Sequence, residues 1–203
     1  MKHATRPISP MEVKTIAVIG AGLRGRSIAL AAATTGYQTI LEDVCDARLE
    51  AAKAWIMENL RRSVAAASGG EPVQSAEVSN FTIANTIEDA IRDADLIIET
   101  LPDEMEMQIE LFTILDKFAK PNAIFASTGH LSITELAEVT YCAERCVAMR
   151  FGDGETKTVT LAKTAQTSGE SVAACSEVVR RFGKSVIVVD DAVEQIADNQ
   201  LPT

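Results

Sequence analysis

An apolar run, Lys14 to Ile19 (KTIAVI), passes directly into Gly20-Ala21-Gly22-Leu23-Arg24-Gly25 and then into the helical stretch RSIALAAATTG. A strand that turns through closely spaced glycines into a helix commits the chain to a βαβ start, because the helix must pack back onto the strand it has just left. The same alternation continues downstream. Further strands are expected at 38–41, 81–84, 95–100, 123–127, 146–151, 158–162 and 185–190. Helical spacing is expected at 24–35, 46–67, 87–92, 104–118, 132–139 and 170–182. Strands separated by helices of this length predict right-handed crossovers and hence a doubly wound, mostly parallel α/β sheet with helices on both faces. IAVI and LIIE show little polar alternation, as strands buried on both sides should.

The 203 residues are enough for one domain with short appendages. We read 1–12 as a leader, 13–191 as the domain, 192–203 as a tail, and the Gly, Pro and Ser of 67–80 as a surface loop. A net charge of −10 supplies no basic face for nucleic acid. The apolar runs fall short of the roughly 18 residues that span a bilayer, and the N-terminus has no signal-like apolar core, so a cytoplasmic protein without a membrane partner is expected. The four cysteines lack CxxC spacing and the only histidines are His3 and His130, a poor set for zinc. Buried reduced thiols are the expectation.

Gly20, Gly22 and Gly25 have G-x-G-x-x-G spacing between strand and helix. Such glycines give a tight turn, close approach of backbone to a pyrophosphate, and close helix packing, with the phosphates over the helix N-terminus. Leu23 and Arg24 lie inside this cradle, and Arg24 and Arg26 could add charge to a pyrophosphate site or stand as solvated helix residues. The second strand ends in Glu42-Asp43, about 20 residues beyond the glycines, where an acid accepts from ribose hydroxyls. Two carboxylates there would repel a 2′-phosphate, so NAD is expected over NADP. The alternative is that these acids only cap the next helix.

In sequence order, IAVIGAGLRGRSIAL, GYQTILEDV, DADLIIETLPDEMEMQIELF, AIFASTGHLSITELA, RCVAMRF and GKSVIVVDD make the chain similar to the NAD-binding, Rossmann-like domain of the 3-hydroxyacyl-CoA dehydrogenase family, from about Val13 to Asp191. The resemblance implies reversible hydride transfer between NAD and carbon 3 of a 3-hydroxyacyl-CoA, with a His base, an orienting Glu twelve residues later, and a following helical domain that makes the dimer and covers the acyl chain. Here Arg150 stands at the base position and Ala162 at the Glu position. Arginine keeps its proton at physiological pH and cannot serve as that base. The resemblance also puts Gly129 at a substrate-contacting Ser position, and Asp103 and Gln108 at the positions of a Glu and a Lys near the cofactor ribose. The loop 67–80 lacks the lysines that meet the CoA phosphates in family members.

A displaced base is conceivable at His130, on the loop after the fifth strand, oriented by Asp153 or Glu155; the bland alternative is a loop histidine capping the next helix or facing solvent. Arg150 reads either as an anchor for an anionic substrate group or as a strand-end arginine paired with Asp153 or Glu155. Three functions stay open: an NAD(H)-binding protein without the catalytic pair, an oxidoreductase on an acyl-CoA or small anionic substrate using His130 or a partner chain, and a protein-contact module with an unused groove. Apolar surface that a helical domain would otherwise cover predicts a homodimer.

Overall fold

The computed structural model describes residues 11–67, 80–152 and 157–191. Leader residues 1–10, loop residues 68–79, Asp153, Glu155 and the tail 192–203 lie outside the described residues. Eight strands, β1 (Thr15–Ile19), β2 (Gln38–Glu42), β3 (Phe81–Ile83), β4 (Leu96–Glu99), β5 (Ile124–Ser127), β6 (Cys146–Phe151), β7 (Thr158–Lys163) and β8 (Ser185–Asp190), alternate with α1 (Leu23–Thr34), α2 (Asp46–Ala67), α3 (Ile87–Ile91), α4 (Met105–Phe118), α5 (Ile133–Glu138) and α6 (Gly169–Arg181). Each expected element is present with its ends displaced by at most one residue. The strands form one sheet in the order β3-β2-β1-β4-β5-β6-β7-β8.

All neighbours run parallel except β6 and β7, where Arg150 lies opposite Thr160 and Ala148 opposite Ala162. Only six residues separate these two strands, too few for the crossover that parallel pairing needs. Along β1, Ile16 and Val18 enter a core shared with α1, α2 and α6, while Ala17 and Ile19 enter a second core with α3, α4 and α5. Side chains that alternate between two apolar layers explain why the central strands read as continuous hydrophobic runs. Thr86, Ser132 and Ser168 cap α3, α5 and α6 by accepting from backbone N–H groups with their side chains.

Strand β8 ends the sheet, with Ile187 53% and Val188 44% exposed. The chain leaves β1 toward β2 on one side and returns to β4 on the other. That reversal opens a crevice at the carboxyl ends of β1 and β4, the usual place for a ligand in such sheets.

Candidate functional site

The glycine loop is held by contacts that tolerate no side chain. Gly20 has φ +102°, and an added Cβ there would lie 2.6 Å from the Thr100 hydroxyl oxygen. Its N–H donates to the Glu42 carbonyl at 2.8 Å, fastening the loop to the end of β2. At Gly25 a Cβ would come within 1.8 Å of the Gly20 carbonyl oxygen, so the third glycine sets how closely α1 approaches β1. Gly22 differs: a Cβ there would meet nothing within 4 Å. It is the N-cap of α1 and offers no side-chain cap, leaving the first-turn N–H groups facing the crevice, as anion binding requires.

Leu23 is 75% exposed in that first turn. Arg24 reaches across the crevice, its Nη1 donating to the Thr128 carbonyl at 3.1 Å after β5. Its charge therefore lies over the mouth of the groove. Arg26 turns away and stacks on Trp55, 4.6 Å from the ring centroid.

The two acids ending β2 have different surroundings. Asp43 accepts from Ala21 N at 2.7 Å and Cys45 N at 2.8 Å, and Arg48 Nη1 lies 3.1 Å from its Oδ2. These bonds fix the carboxylate against the glycine loop. Arg48 Nη1 also lies 3.3 Å from Oδ1, so a ribose hydroxyl here would share the carboxylate with Arg48. Both acids are buried, but Glu42 Oε2 has no hydrogen-bond partner among the described residues. Burial, with Asp43 and Glu88 nearby, pushes its carboxyl up to about 7.

Across the crevice, the buried Glu99 ends β4. It accepts from the Ser127 hydroxyl, from Leu101 N at 2.8 Å and from Thr128 N at 3.3 Å. Burial raises its pKa against the lowering effect of those bonds. Asp103 accepts from His130 N at 2.8 Å, and a Cβ on Gly129 would lie 2.1 Å from the same carboxylate oxygen. Gly129 is thus required for Asp103 to hold the loop. Gln108 is buried and donates to the Pro102 carbonyl at 3.1 Å.

His130 is exposed after β5, while Ser132 rather than His130 caps α5. Arg150, 8% exposed, donates to the Leu131 carbonyl at 3.2 Å and lies 3.7 Å from Asp191 Oδ1. Asp191 also accepts from the Ser132 and Thr134 hydroxyls, both at 2.8 Å. The sheet register puts Ala162 on the same face as Arg150.

The sequence model of the 3-hydroxyacyl-CoA dehydrogenase NAD-binding domain matches residues 15–192. The chain belongs to the 3-hydroxyacyl-CoA dehydrogenase family. It is 35% identical over 182 residues to 3-hydroxybutyryl-CoA dehydrogenase of Bradyrhizobium diazoefficiens, covering 88% of this chain and 62% of that protein. Human mitochondrial hydroxyacyl-coenzyme A dehydrogenase is 33% identical over 188 residues, covering 88% and 60%. The solved structure of 3-hydroxybutyryl-CoA dehydrogenase from Escherichia coli superposes with TM-score 0.78 at 26% identity, covering 89% of this chain and 39% of that one. The chain thus spans about three fifths of the length of these two curated relatives. Its family domain is the NAD-binding one. The open space at Gly22 and the Asp43 carboxylate beside the glycine loop suit a dinucleotide.

Sequence reading missed Arg48, Glu99, Ser127, Thr128 and Asp191. Glu99 could have been found, since an acid ending the apolar run LIIE must be either solvated or bonded. Asp191 gave no local signal. All four cysteines are free, with Cys142, Cys146 and Cys175 buried. Among the described residues no helix is long and apolar enough to cross a membrane.

Proposed function

We propose that this domain binds NAD(H) over the glycine loop and does not perform the hydride transfer of its family. The supporting observation is Arg150: at the position where the resemblance puts the base, a guanidinium is buried against Asp191. Gly20, Gly22, Leu23, Arg24 and Gly25 line the phosphate end in this reading, Asp43 takes the adenosine ribose, and Asp103 supports the loop on the opposite wall. Arg150 then has a structural task, and an anionic substrate group would have to compete with Asp191 for it.

Titration with NADH and NADPH, following nicotinamide fluorescence and energy transfer from Trp55, tests the cofactor reading. Micromolar binding with preference for NADH is expected, and no binding below millimolar sinks it. Absence of NADH oxidation with a short 3-oxoacyl-CoA is expected from the same preparation. Turnover that disappears in His130→Ala would instead establish the second reading, an oxidoreductase with His130 as base. What favours that reading is the exposed position of His130 after β5, with its backbone held by Asp103. An acyl-CoA is then the substrate class, as the names of the relatives suggest. If neither binding nor turnover is found, the protein-contact reading becomes the leading one. We place the protein in the cytoplasm and read it as a homodimer.

A further inference from the structure

We propose that Cys142 and Cys146 form a peroxide-sensitive thiol pair that closes to a disulfide across the turn joining α5 to β6. The inference stands apart from the cofactor reading, because Cys146 opens β6 at the end of the sheet away from the glycine loop.

A 3-10 turn, Ala143–Arg145, brings the two residues together. Arg145 N donates to the Cys142 carbonyl at 2.8 Å and Cys146 N donates to the Ala143 carbonyl, so the chain folds back tightly between the cysteines. Cys146 Sγ then lies 3.7 Å from the Cys142 carbonyl oxygen and 3.7 Å from the Thr140 hydroxyl, which itself accepts from Cys142 N at 3.3 Å. The two thiols meet in a hydrogen bond. Both belong to the core layer under α4 and α5, whereas Cys175 lies in the other layer. Both chain neighbours of Cys142 line an open cleft of about 550 Å³, where Tyr141 is 98% exposed, and this gives a molecule as small as hydrogen peroxide a short path to the buried thiol.

Their surroundings give the two sulfurs different tasks. The bond from Cys146 outweighs burial and, with the Thr140 hydroxyl and the Arg145 charge, draws the Cys142 thiol below its ordinary range; the same contact, followed by burial, pushes Cys146 up. Cys142 is therefore the attacking thiolate and Cys146 the resolving thiol. The Cys142 sulfur attacks one oxygen of hydrogen peroxide, the O–O bond breaks, and the leaving hydroxide takes up the Cys142 proton as water. The resulting sulfenic acid is attacked by the Cys146 sulfur, its S–O bond breaks, and the hydroxyl leaves with the Cys146 proton as a second water. The thiols lose two electrons and the peroxide gains them. A sulfenic acid already in contact with a thiol condenses with it, whereas one without a thiol in reach is open to further oxidation.

Native protein treated with an equimolar amount of hydrogen peroxide should fall from four alkylatable thiols to two, with a mass lower by two hydrogens. Trypsin cuts after Arg145 and puts Cys142 and Cys146 on separate peptides, which should stay joined until dithiothreitol is added. Cys142→Ser should abolish the joined peptides and leave Cys146 as a free thiol. Cys146→Ser should halt at a Cys142 sulfenic acid that dimedone captures, and Cys45→Ser should leave the joined pair unchanged. Circular dichroism and NADH affinity of the oxidised protein should match those of the untreated one, since the turn lies far from the glycine loop. A thiol count that stays at four, a link through Cys45 or Cys175, a link that forms only in urea, or a sulfenic acid at Cys146 in place of Cys142 overturns the proposal.

Discussion

Arg150 Nη2 lies 3.7 Å from Oδ1 of Asp191, and both side chains are nearly closed to solvent. The pair ties the end of β6 to the end of β8, and through Ser132 and Thr134 to the start of α5. Removing one partner of a buried ion pair leaves the other charge stranded, at a cost of about 3 kcal/mol. Arg150→Met should therefore lower the urea midpoint strongly. Arg150→Met with Asp191→Asn should recover most of it, because asparagine still accepts from Ser132 and Thr134 without the charge. A double variant as unstable as the single one would show that the ion pair is not the source of the loss.

The glycines of the cradle separate fold from ligand. Gly25→Ala forces a Cβ to within 1.8 Å of the Gly20 carbonyl oxygen, and soluble expression or melting temperature should drop sharply. Gly22→Ala meets nothing within 4 Å and has an ordinary φ of −66°, so its melting temperature should match wild type. Its NADH affinity should fall at least several-fold, because the methyl would enter the space proposed for the phosphates. Equal affinity in the two proteins would put the pyrophosphate elsewhere.

Asp43→Asn keeps the shape of the side chain but removes its charge and one acceptor. Hydrogen bonds to charged groups contribute about 1.5 to 3 kcal/mol, so NADH should bind roughly tenfold or more weakly. Calorimetric titration checks this. Unchanged affinity would mean that Asp43 serves only Ala21, Cys45 and Arg48.

Glu42 makes stability fall with rising pH. Its carboxyl stays protonated in the fold until about pH 7, whereas the unfolded chain releases that proton near pH 4.5. The folded state therefore holds more protons between these values. Stability from this group is fully present below about pH 4.5, declines as pH rises to about 7, and stays low above it. Glu42→Gln should raise stability at pH 8 by about 2 kcal/mol and change it little at pH 5. Thermal melts at the two pH values would show the difference, and a pH-independent effect would place the carboxyl in water.

The order and ends of the strands and helices were legible in the sequence, as were the glycine turn between β1 and α1 and the family. These signals are local: an apolar run buried on two faces, a fixed glycine spacing, and a strand leading into a helix depend on near neighbours along the chain. Tertiary structure decided which side chains meet. Arg150 meets Asp191 across β7, from two strands that run in opposite directions, and Asp103 reaches His130 because the loops after β4 and β5 are adjacent. Glu42 and Asp43 are neighbours in sequence and both buried, yet alternation sets Asp43 against the donors of the glycine loop and leaves a Glu42 oxygen without one among the described residues. Residue type declared both to be acids, and packing alone made one of them hold its proton near neutrality.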